Sequence, residues 1–432
     1  SAMFSKVMTG VYDIPVAHLR VQGIYTNTTQ VDAYRGAGRP EAIYALERTM
    51  DHAARELGVD PFDLRMRNFV RKFPHPTVGG EVYDVGDFPR VLNRLRAEAD
   101  VDGFAARQVE SAARGRLRGL GLSYYIEAIL GGPEEDAKVE FNDDGTVSLF
   151  VGTQSNGQGH ETVYARFLSE RTGIPEDMII VVQGDSDRIA KGGGTGGSRS
   201  VTVQTNATIA TVDKMVAAFT PFLAEETGGN PDFMDGTFRV SGTNRAFTML
   251  EAADLARAKG RMDLLRHEAT AKLPGRSYPN GAHLAEVEID PETGKVDLVR
   301  YTVADDLGNL LAPQLAEGQV HGGIAQGAGQ ALVEHVGYDE NGQLLTASFM
   351  DYAMPRADDL PMIRFVSEPV PSVNNPLGMK GCGEAGTVGS IAAVANAVCD
   401  ALAPAGVGSA DMPFTPTRVW EMLKEVGYAA SE

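Results

Sequence analysis

The sequence predicts an α+β fold in which mixed or antiparallel sheets pack against helices. Three observations carry that prediction. Turn sequences at Asp144-Gly145, Glu292-Thr293-Gly294 and Asn341-Gly342 sit between short runs of alternating apolar residues, the pattern of β-hairpins. Longer segments with apolar residues at helical spacing lie between them without the strict strand-helix alternation of a parallel sheet. The 432 residues, 43% hydrophobic and 22% charged, suffice for two or three domains with cores of their own.

From Phe4 the chain enters strand-like and loop sequence with no natural start signal, so it is expected to be a fragment. The first clear helix opens at Pro40, carries Ile43, Leu46, Met50 and Leu57 on one face, and closes at Gly58. Asp60-Pro61 caps a second helix through Leu64 and Phe69, giving a helical hairpin. The polar, basic stretch 105–118 is read as a boundary between a first portion, 1–112, and a second, 113–432. Beyond it, Val139 and Phe141 face Val147 and Leu149, and Val287 and Ile289 face Val296 and Leu298; Asn341-Gly342 makes a third hairpin. Helices follow at about 161–172, 201–224, 322–333, 390–402 and 416–426. An internal echo pairs Ala137 to Glu140 with Ala285 to Glu288, each followed later by Gly-Gln-x-His, at Gly157 to His160 and Gly318 to His321. A duplicated half-domain or chance would explain it equally.

Charge narrows the function. With 58 acids against 39 bases the net charge is −19, which repels phosphate backbones and anionic lipid and argues against nucleic-acid or membrane-surface partners. No apolar run is expected to reach the ~18 residues of a membrane helix. The two cysteines, Cys382 and Cys399, provide no disulfide framework, iron-sulfur cluster or structural zinc site, and a reducing compartment is expected.

Four glycine-rich loops stand at element junctions: 34–40, 152–160, 192–200 and 378–390. Three run straight into a helix, where free backbone N–H groups and a close backbone approach suit a large polar or phosphorylated cofactor. Tight turns alone are the competing reading. Gly381-x-Gly383-x-x-Gly386 matches a dinucleotide fingerprint, but Pro371 and Asn374-Asn375-Pro376 stand where a buried parallel strand is required. The loop 192–200 has Gly197 where a phosphate-binding loop needs lysine.

Glu384 is singled out as a carboxylate in a glycine-rich loop with Lys380 the nearest cation in sequence. Partial desolvation there would raise its pKa toward neutrality and make it a general base; a solvated loop acid is the alternative. Cys382 is read as small buried filler rather than a nucleophile. His160 and His321, without a companion carboxylate or close spacing, are read as hydrogen-bonded groups rather than metal ligands.

Five ordered motifs resemble the molybdenum-cofactor-binding large subunit of the xanthine dehydrogenase and aldehyde oxidase family, in its carbon-monoxide-dehydrogenase-like branch. They are Ala33 to Ala42, Gly157 to Thr162, Thr195 to Ser200, Gly322 to Gly327 and Gly381 to Gly386. The resemblance spans nearly the whole chain and implies that Glu384 is the catalytic glutamate, a general base toward water-derived oxygen. It further implies that Asn156, Gly157, Gln158, Gly196, Gly197, Ser198, Arg199, Ser200 and Gln326 hold the pyranopterin, and that no side chain ligates the molybdenum, which is held through the pterin dithiolene. Arg35, Ala37, Tyr124 and Glu127 are placed by it at a substrate pocket.

Two departures narrow the substrate. Gly36 stands where carbon monoxide dehydrogenases carry a copper-ligating cysteine, and Ala37 replaces the phenylalanine that sandwiches purines. The family's earlier half is absent. The resemblance therefore implies the C-terminal part of a cytoplasmic molybdenum hydroxylase large subunit acting on an aldehyde or N-heterocycle. Its cofactor would be molybdopterin in the cytosine dinucleotide form, and iron-sulfur and FAD subunits would complete a heterotrimer. The isolated chain is expected to lack cofactor and activity. A non-catalytic scaffold homologue and an NAD-dependent dehydrogenase remain as alternatives.

Overall fold

The computed structural model describes residues 2–428. Two four-stranded sheets dominate it. The labelled strands are β1 (Leu117–Ile126), β2 (Glu134–Phe141), β3 (Val147–Val151), β4 (Ile179–Val182), β5 (Arg266–Lys272), β6 (Asn280–Ile289), β7 (Val296–Asp306) and β8 (Ile363–Ser367). The labelled helices are α1 (Arg39–Leu57), α2 (Pro61–Asn68), α3 (Phe88–Glu98), α4 (Phe104–Ala113), α5 (His160–Thr172), α6 (Ser200–Thr227), α7 (Pro313–Leu332), α8 (Ala385–Leu402) and α9 (Pro416–Glu425).

The two predicted hairpins form in register, Val139 opposite Leu149 and Ile289 opposite Val296. Each is the start of the same unit. In the first, hairpin β2-β3 leads through α5 to β4, parallel to β3, and then to α6. In the second, hairpin β6-β7 leads through α7 to β8, parallel to β7, and then to α8. The strand preceding each unit is exchanged: β1 pairs antiparallel with β6, and β5 with β2. The Ala-x-Val-Glu echo thus occupies equivalent strands, β2 and β6. The Gly-Gln-x-His echo does not hold equivalent places, because His160 opens α5 whereas His321 lies inside α7.

Local signals explain the N-terminal helices. Gly58 closes α1 at φ 62°, and the Asp60 side chain accepts from the N–H groups of Phe62 and Asp63 at the start of α2. These helices and α3 cover one face of β1 and β6 through Phe62, Phe69, Phe88, Leu92 and Tyr124. The helices α7, α8 and α9 contribute to the core on the other face. With both faces covered, β6 is buried along its whole length.

The stretch 105–118, read as a domain boundary, forms much of α4 and the start of β1, and Arg107 and Arg118 bind Glu286 of β6 at 2.6 and 2.7 Å. Several other expectations are corrected. The hairpin at Asn341-Gly342 shrinks to one bridge, Tyr338 with Leu344. Helix α7 starts at Pro313 rather than 322, and α8 at Ala385 rather than 390, so glycines read as loop are helical. Packing overrides their weak propensity: Gly323 of α7 approaches Gly386 of α8 so closely that a Cβ would lie 2.8 Å from its Cα. Two stretches, α6 and 385–405, do reach membrane-spanning length and hydropathy, contrary to expectation. Nearly every residue of α8 is buried in the protein.

Candidate cofactor-binding and active site

Duplication of the unit brings four corresponding junctions to one cavity of about 660 Å³. Its wall draws on Asn156 to Gln158 and His160 entering α5, Thr195 to Ser198 and Ser200 to Thr202 entering α6, Asn309 to Ala312 with Leu315 and Gln319 entering α7, and Met379 to Glu384 entering α8. Helix N-termini carry free N–H donors and partial positive charge, so four of them around one cavity suit an anionic, polar ligand.

Glu384, the residue preceding α8, is held from three sides. Its Oε1 accepts the Gly36 N–H at 2.8 Å; its Oε2 accepts Ser198 Oγ–H and pairs with Arg39 Nη2, each at 2.8 Å. Burial pushes its pKa up, but Glu127, Arg39, Gly36 and Ser198 outweigh burial and hold the carboxyl below its ordinary range. The expected rise toward neutrality is therefore corrected. Lys380 is not its cation either, because it is buried against Asp306 at 2.5 Å. Arg39 fills that role, 1% exposed, with Nε donating to Gly36 O and Nη1 to Ala128 O.

Gln158 and His160 form one device. His160 Nδ1 lies 2.9 Å from Thr153 O, which fixes the proton on Nδ1, and Nε2 then accepts from Gln158 Nε2 at 3.1 Å. Burial lowers the His160 pKa and keeps it neutral. Gln158 Oε1 accepts the Asn156 N–H at 2.5 Å, and Gly157 completes the turn at the cavity wall. On the neighbouring junction Gly196, Gly197, Ser198 and Ser200 line the cavity, with Ser198 in a left-handed conformation at φ 59°.

Arg35 also lines it, but its guanidinium is committed: Nε to Gly383 O at 2.5 Å, Nη1 to Gln326 Oε1 at 3.1 Å, and Nη2 to Gln319 O at 2.9 Å. That leaves the NH2 end of Gln326 as a donor toward a ligand. Cys382 is half-buried at the cavity wall rather than buried filler, and desolvation pushes its thiol up to about 12.

Four expected site residues lie elsewhere. Tyr124 is fully buried on the opposite face of β1, its ring 5.0 Å from Phe69 and its hydroxyl on Asn280, so it stacks on no substrate. Arg199 points away to Glu135 at 2.7 Å and Gly132 O, anchoring the loop 192–200 to β2. Ala37 is half-buried in the turn closed by its N–H on Tyr34 O, outside the lining. Glu127 is fully buried beside Ser198 rather than at the wall. The sequence reading in turn missed Arg39, Gln319 and the apolar wall of Leu310, Leu311 and Leu315. Gln319 and Gln326, two helical turns apart on α7, were the available signal.

The donor set fits a metal carried by an organic cofactor. Among the described residues no cluster of three or more His, Cys, Asp or Glu could hold a metal directly. The polar part of the lining consists mainly of uncharged amides, hydroxyls and glycine-rich backbone, beside an apolar wall.

Comparison with known proteins agrees with that chemistry. Residues 94–361 and residues 1–69 match two families, each described as a molybdopterin cofactor-binding domain. The chain belongs to the molybdopterin cofactor-binding domains of the xanthine dehydrogenase family. It is 34% identical to the carbon monoxide dehydrogenase large chain of Afipia carboxidovorans, over 99% of this chain and 56% of that one. To the nicotine 6-hydroxylase large subunit of Paenarthrobacter nicotinovorans it is 35% identical, over 97% and 54%. Among solved structures it superposes on a Cu,Mo-CO dehydrogenase with TM-score 0.92 and 33% identity, covering 99% of this chain and 57% of that one. Quinoline 2-oxidoreductase from Pseudomonas putida 86 gives TM-score 0.88 at 31% identity, covering 98% and 57%. The chain thus spans little more than half the length of these relatives.

Proposed function

We propose that this chain is the C-terminal part of a molybdenum hydroxylase large subunit that hydroxylates an aldehyde or N-heterocycle with water-derived oxygen. The observation that carries the reading is the Glu384 carboxyl, held by three donors, at the wall of a cavity ringed by four helix N-termini. When bound, the molybdenum-pyranopterin supplies the two-electron redox chemistry. This chain's residues bind, orient and move a proton. Gln158, Gln326, Ser200 and the N–H groups of Gly196 and Gly197 hold the pterin. Glu384 takes the proton at Oε1, which has one N–H partner, whereas Oε2 is occupied by Arg39 and Ser198. Leu310, Leu311 and Leu315 give the cavity an apolar wall suited to an uncharged ring or alkyl group.

Carbon monoxide does not fit as substrate. Gly36 sits at φ 94°, and a Cβ there would lie 2.8 Å from Pro40 Cγ, so the copper-ligating cysteine of that chemistry has no place. Electrons leave through iron-sulfur and FAD subunits in a cytoplasmic heterotrimer, a reading supported by the likeness to relatives named as a large chain or large subunit. The pterin is in the cytosine dinucleotide form. Residues 1–112 are the remainder of one cofactor-binding domain and 113–432 a second. The missing half of the large subunit covers the exposed Val16, Ile24, Tyr25 and Val31.

The deciding experiment is the molybdenum-to-protein ratio of the full-length large subunit purified with its partners. A ratio near one, with turnover of aldehydes or N-heterocycles, is expected. A ratio near zero, in a host that loads a known molybdenum enzyme, rejects the proposal in favour of a scaffold.

A further inference from the structure

A hydrogen count at Ser198 locates a proton. Its Oγ lies 2.8 Å from Glu127 Oε1 and 2.8 Å from Glu384 Oε2, and it accepts the Glu384 N–H at 3.1 Å. A serine hydroxyl has a single hydrogen to donate. With both carboxyls ionised, one of the two short contacts would oppose lone pair to lone pair. One acid must therefore be the donor. Glu384 is partly exposed and has two further donors, Gly36 N–H and Arg39 Nη2, so it carries the charge. Glu127 is fully buried, and its Oε2 has no hydrogen-bond partner among the described residues. An ionised group in that position would leave a charged oxygen desolvated and unpaired.

We propose that Glu127 is held as a neutral acid that donates to Ser198, turns the serine hydroxyl onto Glu384 and so keeps Glu384 ionised. Glu127 is then a positioning residue, and this rests on Glu384 being the general base. The groups that face it act in both directions, and those disfavouring a charge prevail. Arg39 Nη1 of α1 is 3.1 Å from Oε1, and that cation is shared with Glu384. Two residues before Glu127, Tyr125 of β1 places its hydroxyl on Asp305 of β7, a second buried acid with no arginine or lysine bound to it among the described residues. Cys382, before α8, is a neutral thiol within electrostatic reach of both acids. Burial and the Glu384 charge raise the Glu127 pKa well above the carboxylate range, against the pull of Arg39.

The test reads protonation directly. In the assembled enzyme, the infrared difference between wild type and Glu127→Gln is expected to lose one protonated-carboxyl carbonyl band that shifts in D2O. Absence of a lost band would mean that Glu127 is ionised and would overturn the proposal. As a second reading, the acid limb of kcat/KM is expected to rise about one pH unit in Glu127→Ala and less in Glu127→Gln, whose amide still donates to Ser198. Equal displacement in the two variants, or none in the alanine variant, would also overturn it. If Glu127→Ala fails to fold, Ser198→Ala replaces it, with the same upward displacement expected. Retained turnover in Glu384→Gln would sink the base role while leaving the infrared outcome to stand.

Discussion

Arg39, the first residue of α1, and Glu384, the residue preceding α8, meet at 2.8 Å with side chains 2% and 15% exposed. The same guanidinium reaches Glu127 at 3.1 Å, so one buried cation contacts two acids drawn from different elements and pairs with the ionised one, Glu384. Removing one partner of a buried pair leaves charge uncompensated. Replacing Arg39 with methionine is expected to destabilise the protein by about 3 kcal/mol, seen as a lower urea midpoint. An unchanged midpoint would show that the pair contributes nothing to stability.

Glu384→Gln is expected to abolish turnover in the assembled enzyme while molybdenum content stays at the wild-type level. The wild-type acid limb should fall below the ordinary carboxylate range, because the folded pKa is lowered. The sign of the linked stability follows: the contribution is present above the unfolded pKa of ~4.3 and lost as pH falls through the folded value. A limb near neutrality would contradict the geometry around Oε1 and Oε2.

Gly36→Cys is expected to destabilise by about 1–2 kcal/mol, since a side chain at φ 94° is strained and its Cβ meets the Pro40 ring. Chemical unfolding measures the loss, and elemental analysis should find no copper in the variant. Wild-type stability with stoichiometric copper would reopen carbon monoxide as a substrate.

What was legible follows from range along the chain. The hairpin joining β6 and β7 was readable because its period of two and its turn are local, and the cofactor loops because glycine marks junctions. Partnerships were not. Nothing near Glu384 in sequence points to Arg39, and Lys380, the neighbour by sequence, is turned to Asp306. Tyr124 illustrates the parity problem: on β1 it packs with Phe69 and Phe88 beneath α1 to α3, while Tyr125 joins the core beside α8. A shift of one residue along a strand exchanges the two faces.

Asp305 makes the pH dependence of stability testable with the opposite sign to Glu384. It is fully buried and bound by Tyr125 at 3.0 Å, and desolvation pushes its pKa up to about 8. The folded state therefore keeps a proton that the unfolded chain releases near pH 4, so stability falls as pH rises from there to about 8 and is constant beyond. Asp305→Asn removes that proton uptake while keeping a polar side chain opposite Tyr125. The variant is expected to melt close to wild type at pH 4 and a few degrees above it at pH 8, with the gap opening progressively between. A constant difference across that range would assign the effect to packing. A lower melting temperature at pH 8 than wild type would mean that Asp305 is ionised in the native protein, with a cation partner that the buried cluster of Tyr125, His283 and Tyr301 does not supply.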